Sequence, residues 1–396
     1  MAEIRDSRGL KDVNPNVEKP SSDAWTTSAL SLGPEHMPKN FSISLDALRR
    51  GGTDHFLKIA PIMAKKQPMS GFEDTYVNIV DYIVRITHRI WEEKDIGYIY
   101  DTYSHDCKVW DDYGLQYGRD KIVADTVHTN NAFPDIRLVA DEVIWAGNDE
   151  VGFHTSHRTK IFGTNTGYSR YGAPTGKQIE LWCIANCIAR ENEIFDEYVN
   201  YDTCGLIQKL GFDVFETARQ MAAEKASSRF TDTFMASEPV RLGGQNKPVI
   251  WDLPPQPEDD PKAFIDAAFH TVWNRRNFGA IDAIYAPSVT HVGSTGRIYQ
   301  GPGQIRSFAM SIVAMLPNMT MCVDEVYWMG NPKDGIAAAI RWSVHGTHSG
   351  HGIYGQPTGR EVNLRGITQW DIRDGKVQNE WFLFNEFGVL MQILAP

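Results

Sequence analysis

The sequence predicts an α+β protein made of two copies of one domain, each with helices first and a curved antiparallel sheet after them. Three observations carry this reading. At 396 residues the chain is too long for one ordinary core and suits two or three domains. Sliding it by 183 positions lays Gly118–Leu210 on Gly301–Ile393 without a gap, and about 24 of the 93 pairs are identical, where average composition would give roughly 6. In both copies a helical stripe precedes segments rich in β-branched and aromatic residues, which is the order of an α+β domain.

The matches fall in blocks. Asp141, Glu142, Val143 and Trp145 pair with Asp324, Glu325, Val326 and Trp328, and Gly163 and Thr164 with Gly346 and Thr347. Tyr171, Gly172, Pro174, Thr175 and Gly176 pair with Tyr354, Gly355, Pro357, Thr358 and Gly359, and Glu197 pairs with Glu380. One residue of slippage upstream also matches Trp91 with Trp273 and Tyr103 with Tyr285. A tandem duplication of a domain of about 135 residues accounts for all of them.

In chain order, residues 1–39 are polar and proline-dotted and read as a mobile arm. Residues 40–75 hold Leu45, Leu48, Phe56, Leu57, Ile59 and Ile62 and read as a partly helical extension. The first domain spans 76–212. Its apolar stripe over Val77–Trp91 predicts a helix, and a second short helix ends before Phe133 and Pro134, where proline disfavours helix at the preceding residue. Ile136–Trp145, Val151–Gly163, Gln178–Arg190 and Ile194–Tyr201 read as strands. Pro174 followed by Gly176 suits a tight hairpin, and Asp141 and Glu142, duplicated as Asp324 and Glu325, are expected at a strand start in solvent. Thr203–Leu210 and Asp213–Ser227 read as helices, and Pro254, Pro255 and Pro257 mark a stiff linker within 213–260. The second domain spans 261–396 and opens on the repeated stripe Phe264–Trp273.

Composition narrows the function. With 39 basic against 50 acidic residues the net charge is −11, which disfavours nucleic acid or an anionic membrane as partner. No apolar run is long enough to span a bilayer, the N-terminus has no apolar signal core, and five cysteines without CxxC or zinc spacing read as reduced thiols, so a cytoplasmic location is expected. No P-loop, Rossmann fingerprint, HExxH or GxSxG stands in a credible strand–turn–helix context, and no cofactor or metal is expected.

Further residues carry a family resemblance. They are Phe133, Pro134 and Asp135; Arg158; Gly163–Gly167; Ala173–Lys177; and Glu197–Asp202 running into Gly205–Gly211, with Gly346–Gly350, Gln356–Arg360 and Asp374–Trp381 in the second copy. Both copies resemble the SnoaL-like polyketide cyclase (ester cyclase) branch of the NTF2-like superfamily, over about 270 residues. The resemblance implies two cone-shaped α+β barrels in tandem, each with a helix in the concavity of a bent sheet and an apolar pocket. It also implies pairing through the outer sheet faces, either within the chain or in a homodimer. It fixes no reaction, because the superfamily holds cyclases, isomerases, dehydratases, epoxide hydrolases and binding modules.

Family cyclases and isomerases use a pocket carboxylate as general base, and the matching position is Asp202. Period two puts Tyr198 and Asn200 on the same strand face, where either could polarise a carbonyl. Asp202 also directly precedes a helix, and aspartate is a favoured N-cap, as is its counterpart Asn385; both readings stay open. His154 and His157 point to opposite faces of their strand, so at most one meets the pocket. Arg158 paired with a carboxylate could orient a water, as epoxide hydrolases of the superfamily do, or could tie neighbouring strands together. Asn200, Trp91, Tyr103, Trp110, His348, Trp381 and Asn385 are the expected substrate contacts. The expectation is a cofactor-independent cyclase-, isomerase- or lyase-like enzyme acting on a small carbonyl-bearing or cyclic molecule in the first domain. The alternatives are a small-ligand-binding or assembly module, and epoxide-hydrolase-like water activation.

Overall fold

The computed structural model describes residues 31–45, 52–227 and 260–396. After α1 (Gly52–Met63), the first domain runs α2 (Ile79–Trp91), α3 (Ile99–Thr102), β1 (Tyr103–Asp111), β2 (Gly114–Tyr117), α4 (Arg119–Ala132), β3 (Arg137–Asn148), β4 (Gly152–Thr164), β5 (Gln178–Arg190), β6 (Glu193–Tyr201) and α5 (Thr203–Leu210). Helix α6 (Val214–Ser227) follows. The second domain repeats the order as α7 (Pro261–Phe269), α8 (Ile281–Ile284), β7 (Tyr285–Gly293), β8 (Ile298–Gln300), α9 (Gly301–Met315), β9 (Thr320–Asn331), β10 (Gly335–Thr347), β11 (Glu361–Arg373), β12 (Lys376–Phe384) and α10 (Glu386–Leu394). The sheets have the same strand order, β2-β1-β6-β5-β4-β3 and β8-β7-β12-β11-β10-β9. In each, only the pairing of the first and last long strands is parallel. These are two α+β bodies of the same topology in tandem, as the duplicated sequence predicts.

Local chemistry repeats as well. Asn78 caps α2 by accepting from the Asp81 N–H, and Asp260 caps α7 by accepting from Ala263, with Pro261 in the first turn. Ile79, Val80, Ile83, Val84, Ile86 and Ile90 bury the α2 stripe. Just past the two stripes, Lys94 and Arg276 both sit in the left-handed region, at φ 64° and 56°. Strands β1 and β2 were not anticipated, because Tyr103–Tyr117 mixes polar and apolar residues without a clear period.

Several expectations change. Asp141 and Asp324 are not at strand starts in solvent; each is the extra residue of a bulge, where the registers β3–β4 and β9–β10 shift. The Asp141 carboxylate there accepts from Arg158 Nε at 2.6 Å. Pro174 and Gly176 do not make a tight hairpin. Residues 165–177 form a long connection, in which Asn165 Oδ1 accepts from the Thr175 N–H and the Asn165 N–H donates to Lys177. Part of the expected arm is packed together with the start of the extension: Met37 of the arm and Ile43 and Leu45 of the extension are buried, Trp145 donates to the Ile43 carbonyl, and Gly330 N–H donates to the Pro38 carbonyl. Residues 1–30 and most of the expected linker, 228–259, lie outside the described residues.

The outer faces of the two sheets meet. Ile184, Ile367 and Leu383 form the apolar part of this seam, flanked by Trp182, Tyr198 and Trp381. Arg158 lies 3.6 Å from the centre of the Trp381 ring, and Arg341 lies 3.9 Å from that of Tyr198. Those two pairs are the same two positions with the domains exchanged, so the seam has approximate twofold symmetry. Arg158 also bonds Gln369, whose amide donates to Ser156 O and Oγ, and His154 Nδ1 meets Glu325 at 2.8 Å. Burial alone would raise the Glu325 carboxyl, but His154 and Arg341 beside it hold it at about 2. Removing one partner of such a buried pair strands the other. Arg158→Ala is therefore expected to lower stability by about 3 kcal/mol, measured as a lower urea midpoint, whereas Arg219→Ala, on the exposed face of α6, should leave the midpoint unchanged.

Candidate functional site

The concave face of the first sheet, with α2, α4 and α6 over it, encloses a cavity of about 720 Å³. Strand alternation selects its wall: His157, Thr159 and Ile161 from β4, Leu181, Cys183, Ala185 and Cys187 from β5, and Glu197, Val199 and Tyr201 from β6. The space exists because the central side chains are small. At the matching positions of the second domain, Thr159 is replaced by Trp342, Cys183 by Gly366, Ala185 by Thr368 and Val199 by Phe382. The Trp342 ring stacks on Phe382 at 4.8 Å and donates to Thr368 Oγ1, and Gly366 opposite it leaves the room its ring needs. Phe308, at the position of Asp125, closes on Trp273, Phe382 and His291. Aromatic packing fills in the second domain what stays open in the first.

The same contrast holds for the duplicated glutamate. Glu380 is buried and accepts from Tyr285 Oη at 3.1 Å and Trp370 Nε1 at 2.7 Å, and lies 2.6 Å from His291 Nδ1. In the first domain the tyrosine is kept as Tyr103, which donates to Glu197 at 3.0 Å. The tryptophan and the histidine have become Cys187 and Val109, both in the cavity wall. Glu197 therefore faces the cavity. Burial in this apolar wall pushes its carboxyl up to about 7, against the opposing Tyr103 hydrogen bond and with Asp111 adding like charge.

His157 stands two strands away, opposite Ala185, with its backbone on the order of 10 Å from that of Glu197. Burial pushes its imidazole down to about 4, so it is neutral at physiological pH, and its Nε2 has no protein partner. Asp111 lines the wall nearer the entrance and accepts from the Tyr113 N–H and Gln116 Nε2, with burial raising its carboxyl. Burial also lifts the Cys183 thiol to about 12 and raises that of Cys187, which keeps both protonated. At the entrance, Tyr113 and Tyr171 join hydroxyls at 2.6 Å, and Arg170 lies 4.4 Å from the Tyr113 ring centre and 3.7 Å from Asp125. Apart from this site, Asp54, His88 and Glu92 bring possible metal-ligand atoms together at the surface, but Arg137 already pairs with both carboxylates.

The family model for SnoaL-like polyketide cyclases matches residues 263–393. The match spans nearly the whole second domain. The first, with the same strand order and the duplicated sequence blocks, is its tandem copy. Among solved structures, the chain is similar to a protein from Jannaschia Sp. CCS1 named for the SnoaL-like polyketide cyclases (16% identity, 37% of this chain and 99% of that one, TM-score 0.32). It is similar to IdmH from Streptomyces antibioticus, named for the polyketide cyclases (20% identity, 34% and 98%, TM-score 0.30). It is also similar to a protein of ketosteroid isomerase-like fold from Catenulispora acidiphila DSM 44928, solved with trimethylamine (19% identity, 33% and 92%, TM-score 0.28). No curated protein matches the sequence. No helix among the described residues is long and apolar enough to cross a membrane.

Against the SnoaL-like expectation the site moves by one residue along β6. Asp202 does not line the cavity: its carboxylate caps α5 through the Gly205 N–H at 3.3 Å and accepts from the Thr295 N–H of the second domain at 2.6 Å. Tyr198 lies in the seam, stacked on Trp110 and under Arg341, and Asn200 is buried beside Asp112. His154, Arg158 and Trp381 are also in the seam, which removes water activation by an Arg158–carboxylate pair from the cavity. Trp110 packs against Arg365 rather than a pocket. In the second domain, His348 is buried and bonds Thr358 within its turn. Asn385 does not cap with its side chain, which instead accepts from the Arg365 N–H across the sheet. Of the expected site residues, His157 from the catalytic set and Trp91 and Tyr103 from the substrate contacts line the cavity. Glu197, Tyr201 and Asp111 were missed as chemistry; the signal available was that a glutamate recurs on the last strand of both copies.

The raised Glu197 carboxyl sets a sign for stability. Folded, it keeps its proton up to about 7, whereas its ordinary value is 4.5. The folded state thus binds more protons in that window, and stability falls as pH rises from 4.5 through 7. Glu197→Gln is expected to remove this fall. At pH 8 the variant should be more stable than the wild type by about 3 kcal/mol, and at pH 4 the two should agree, as read by thermal unfolding.

Proposed function

We propose that the first domain is an enzyme that moves protons at a carbon acid, with Glu197 as the general base and the second domain as a non-catalytic partner. The observation that carries the reading is the buried Glu197 carboxyl, raised to about 7, facing a largely apolar cavity of about 720 Å³. A base of that strength is half ionised near neutral pH and gains most from matching its working pH. Its substrate is a largely apolar carbonyl compound, sized to a cavity in the usual small-molecule range. Glu197 takes the proton from the carbon next to the carbonyl, and the C–H electron pair becomes an enolate. Hydrogen bonds from the Tyr201 hydroxyl and the neutral His157 ring offset the charge on the enolate oxygen. The proton then returns from Glu197 to a different atom, giving an isomer. Alternatively, the enolate carbon adds to a second carbonyl of the same molecule, and the resulting alkoxide takes the proton, giving a ring. Neither route needs an oxidant or reductant. Tyr103 keeps the carboxylate aimed by donating to it.

The second domain supports the division of roles. Its glutamate is occupied by three partners and its concavity is packed with rings, so neither a free base nor room for a substrate remains there.

Deuterium exchange tests this without a known product. Apolar ketones and 1,3-dicarbonyl compounds are incubated with the protein in D₂O and read by mass spectrometry. The expected result is protein-dependent incorporation next to the carbonyl, reduced about 10²- to 10⁴-fold in Glu197→Gln and lost when Thr159→Trp fills the cavity. Compounds that bind the cavity but exchange equally fast with wild type and Glu197→Gln would make the domain a binding module instead.

A further inference from the structure

The entrance of the first domain's cavity is built partly from the second domain. The exposed lining residues Tyr168, His128 and Glu224 mark where the cavity meets solvent. Beside them the joined hydroxyls of Tyr113 and Tyr171 connect the turn after β1 to the long connection after β4. Both rings rest edge-on against one side chain, Phe387 of α10 in the second domain, at 6.1 and 6.2 Å between ring centres. Phe387 is fully buried, so its ring has no freedom to leave this contact without moving α10.

Three further contacts fix the same corner. Arg365 of the second domain donates to the Asp111 carbonyl at 3.1 Å, two residues before Tyr113. Gly388 lies against the Asp112 carbonyl, where any Cβ would collide, so α10 sits as close to the β1–β2 turn as a helix can. Lys225 of α6 donates to the Tyr113 carbonyl at 2.9 Å, and α6 packs along α10 while supplying Met221 and Glu224 to the cavity.

We infer that the second domain is a positioning element for the first domain's entrance. Phe387 holds the Tyr113–Tyr171 pair in place, and the pair sets how readily apolar molecules pass to the interior. Edge-on aromatic contacts of this kind attract beyond the area they bury, enough to bias a pair of side chains between joined and parted states. Loss of catalysis in the second domain is then compatible with its retention, because its last helix still acts on its neighbour. This inference stands on the cavity geometry and does not depend on what Glu197 does.

Entry kinetics test it on the full chain, using the neutral dye N-phenyl-1-naphthylamine, which fluoresces in apolar surroundings. After rapid mixing, Phe387→Ala is expected to speed dye entry and exit several-fold while changing the equilibrium affinity less. Tyr113→Phe, which removes the hydroxyl pair and leaves Phe387 in place, should act the same way, and Phe387→Leu should restore part of the wild-type rate. Arg219→Ala, on the exposed face of α6, should leave the rates unchanged, and the dye carries no carbonyl, which separates this test from that of the proposed chemistry. If Phe387→Ala unfolds too readily to assay, Tyr113→Phe and Phe387→Leu carry the comparison. Only the dye signal lost in Thr159→Trp, which fills the cavity, is followed, and wild-type entry and exit rates for that signal in the folded variants would overturn the inference.

Discussion

The arrangement depends on the buried seam between the two sheets. A strand has two faces, and committing one to the seam leaves the other for the concavity. Arg158, His154 and Tyr198 face the seam because they meet partners there that offset their desolvation: Asp141, Gln369 and Trp381, then Glu325, then Arg341. Their neighbours His157, Thr159, Glu197 and Val199 are thereby turned inward. A polar seam of this kind is weak evidence for stability in itself. Its clearer effect is on register, because a slip of one residue on β4 or β6 would carry the arginine and tyrosine of the seam into the concavity.

Duplication followed by divergence is visible at one carboxylate. Glu197 and Glu380 occupy the same place on the last strand, and each keeps its tyrosine. In the second domain a tryptophan and a histidine complete the shell, and the carboxyl's hydrogen bonds are satisfied within the core. In the first domain those two positions are Cys187 and Val109, and the carboxyl is left facing a space with its affinity for protons raised. Small side chains at Thr159, Ala185, Cys187 and Val199, each larger in the second domain, make that space. One set of substitutions thus opens the cavity and unsaturates the base, while the counterpart set closes both.

Much of this was legible in the sequence, for physical reasons. The duplication, the α+β order, the α2 stripe and the strands β3 to β6 all follow from repeats and periodicity. The strand β5 and helix α5 coincide with the segments read as Gln178–Arg190 and Thr203–Leu210. What failed was parity on β6. Both faces of that strand are covered, one by the seam and one by the concavity, so alternation between apolar and polar residues disappears. Tyr198, Asn200 and Asp202 looked like a catalytic face, and the seam that claims Tyr198 is a tertiary feature no local pattern announces. The bulges at Asp141 and Asp324 were hidden for the same reason, since an extra residue shows only once its partner strand is known. Asp202 was legible as a cap, yet its second bond, to Thr295, comes from the other domain.

The central claim is that one glutamate, Glu197, changes its charge near neutral pH inside the cavity. Carbon-13 labelling of the glutamate side-chain carboxyls, followed by NMR across pH 4 to 9, observes that event directly, with Glu197→Gln assigning the signal. The account predicts one carboxyl carbon that titrates near 7 and is absent from the variant. A Glu197 signal that titrates in the ordinary glutamate range, about 4 to 5, would contradict it.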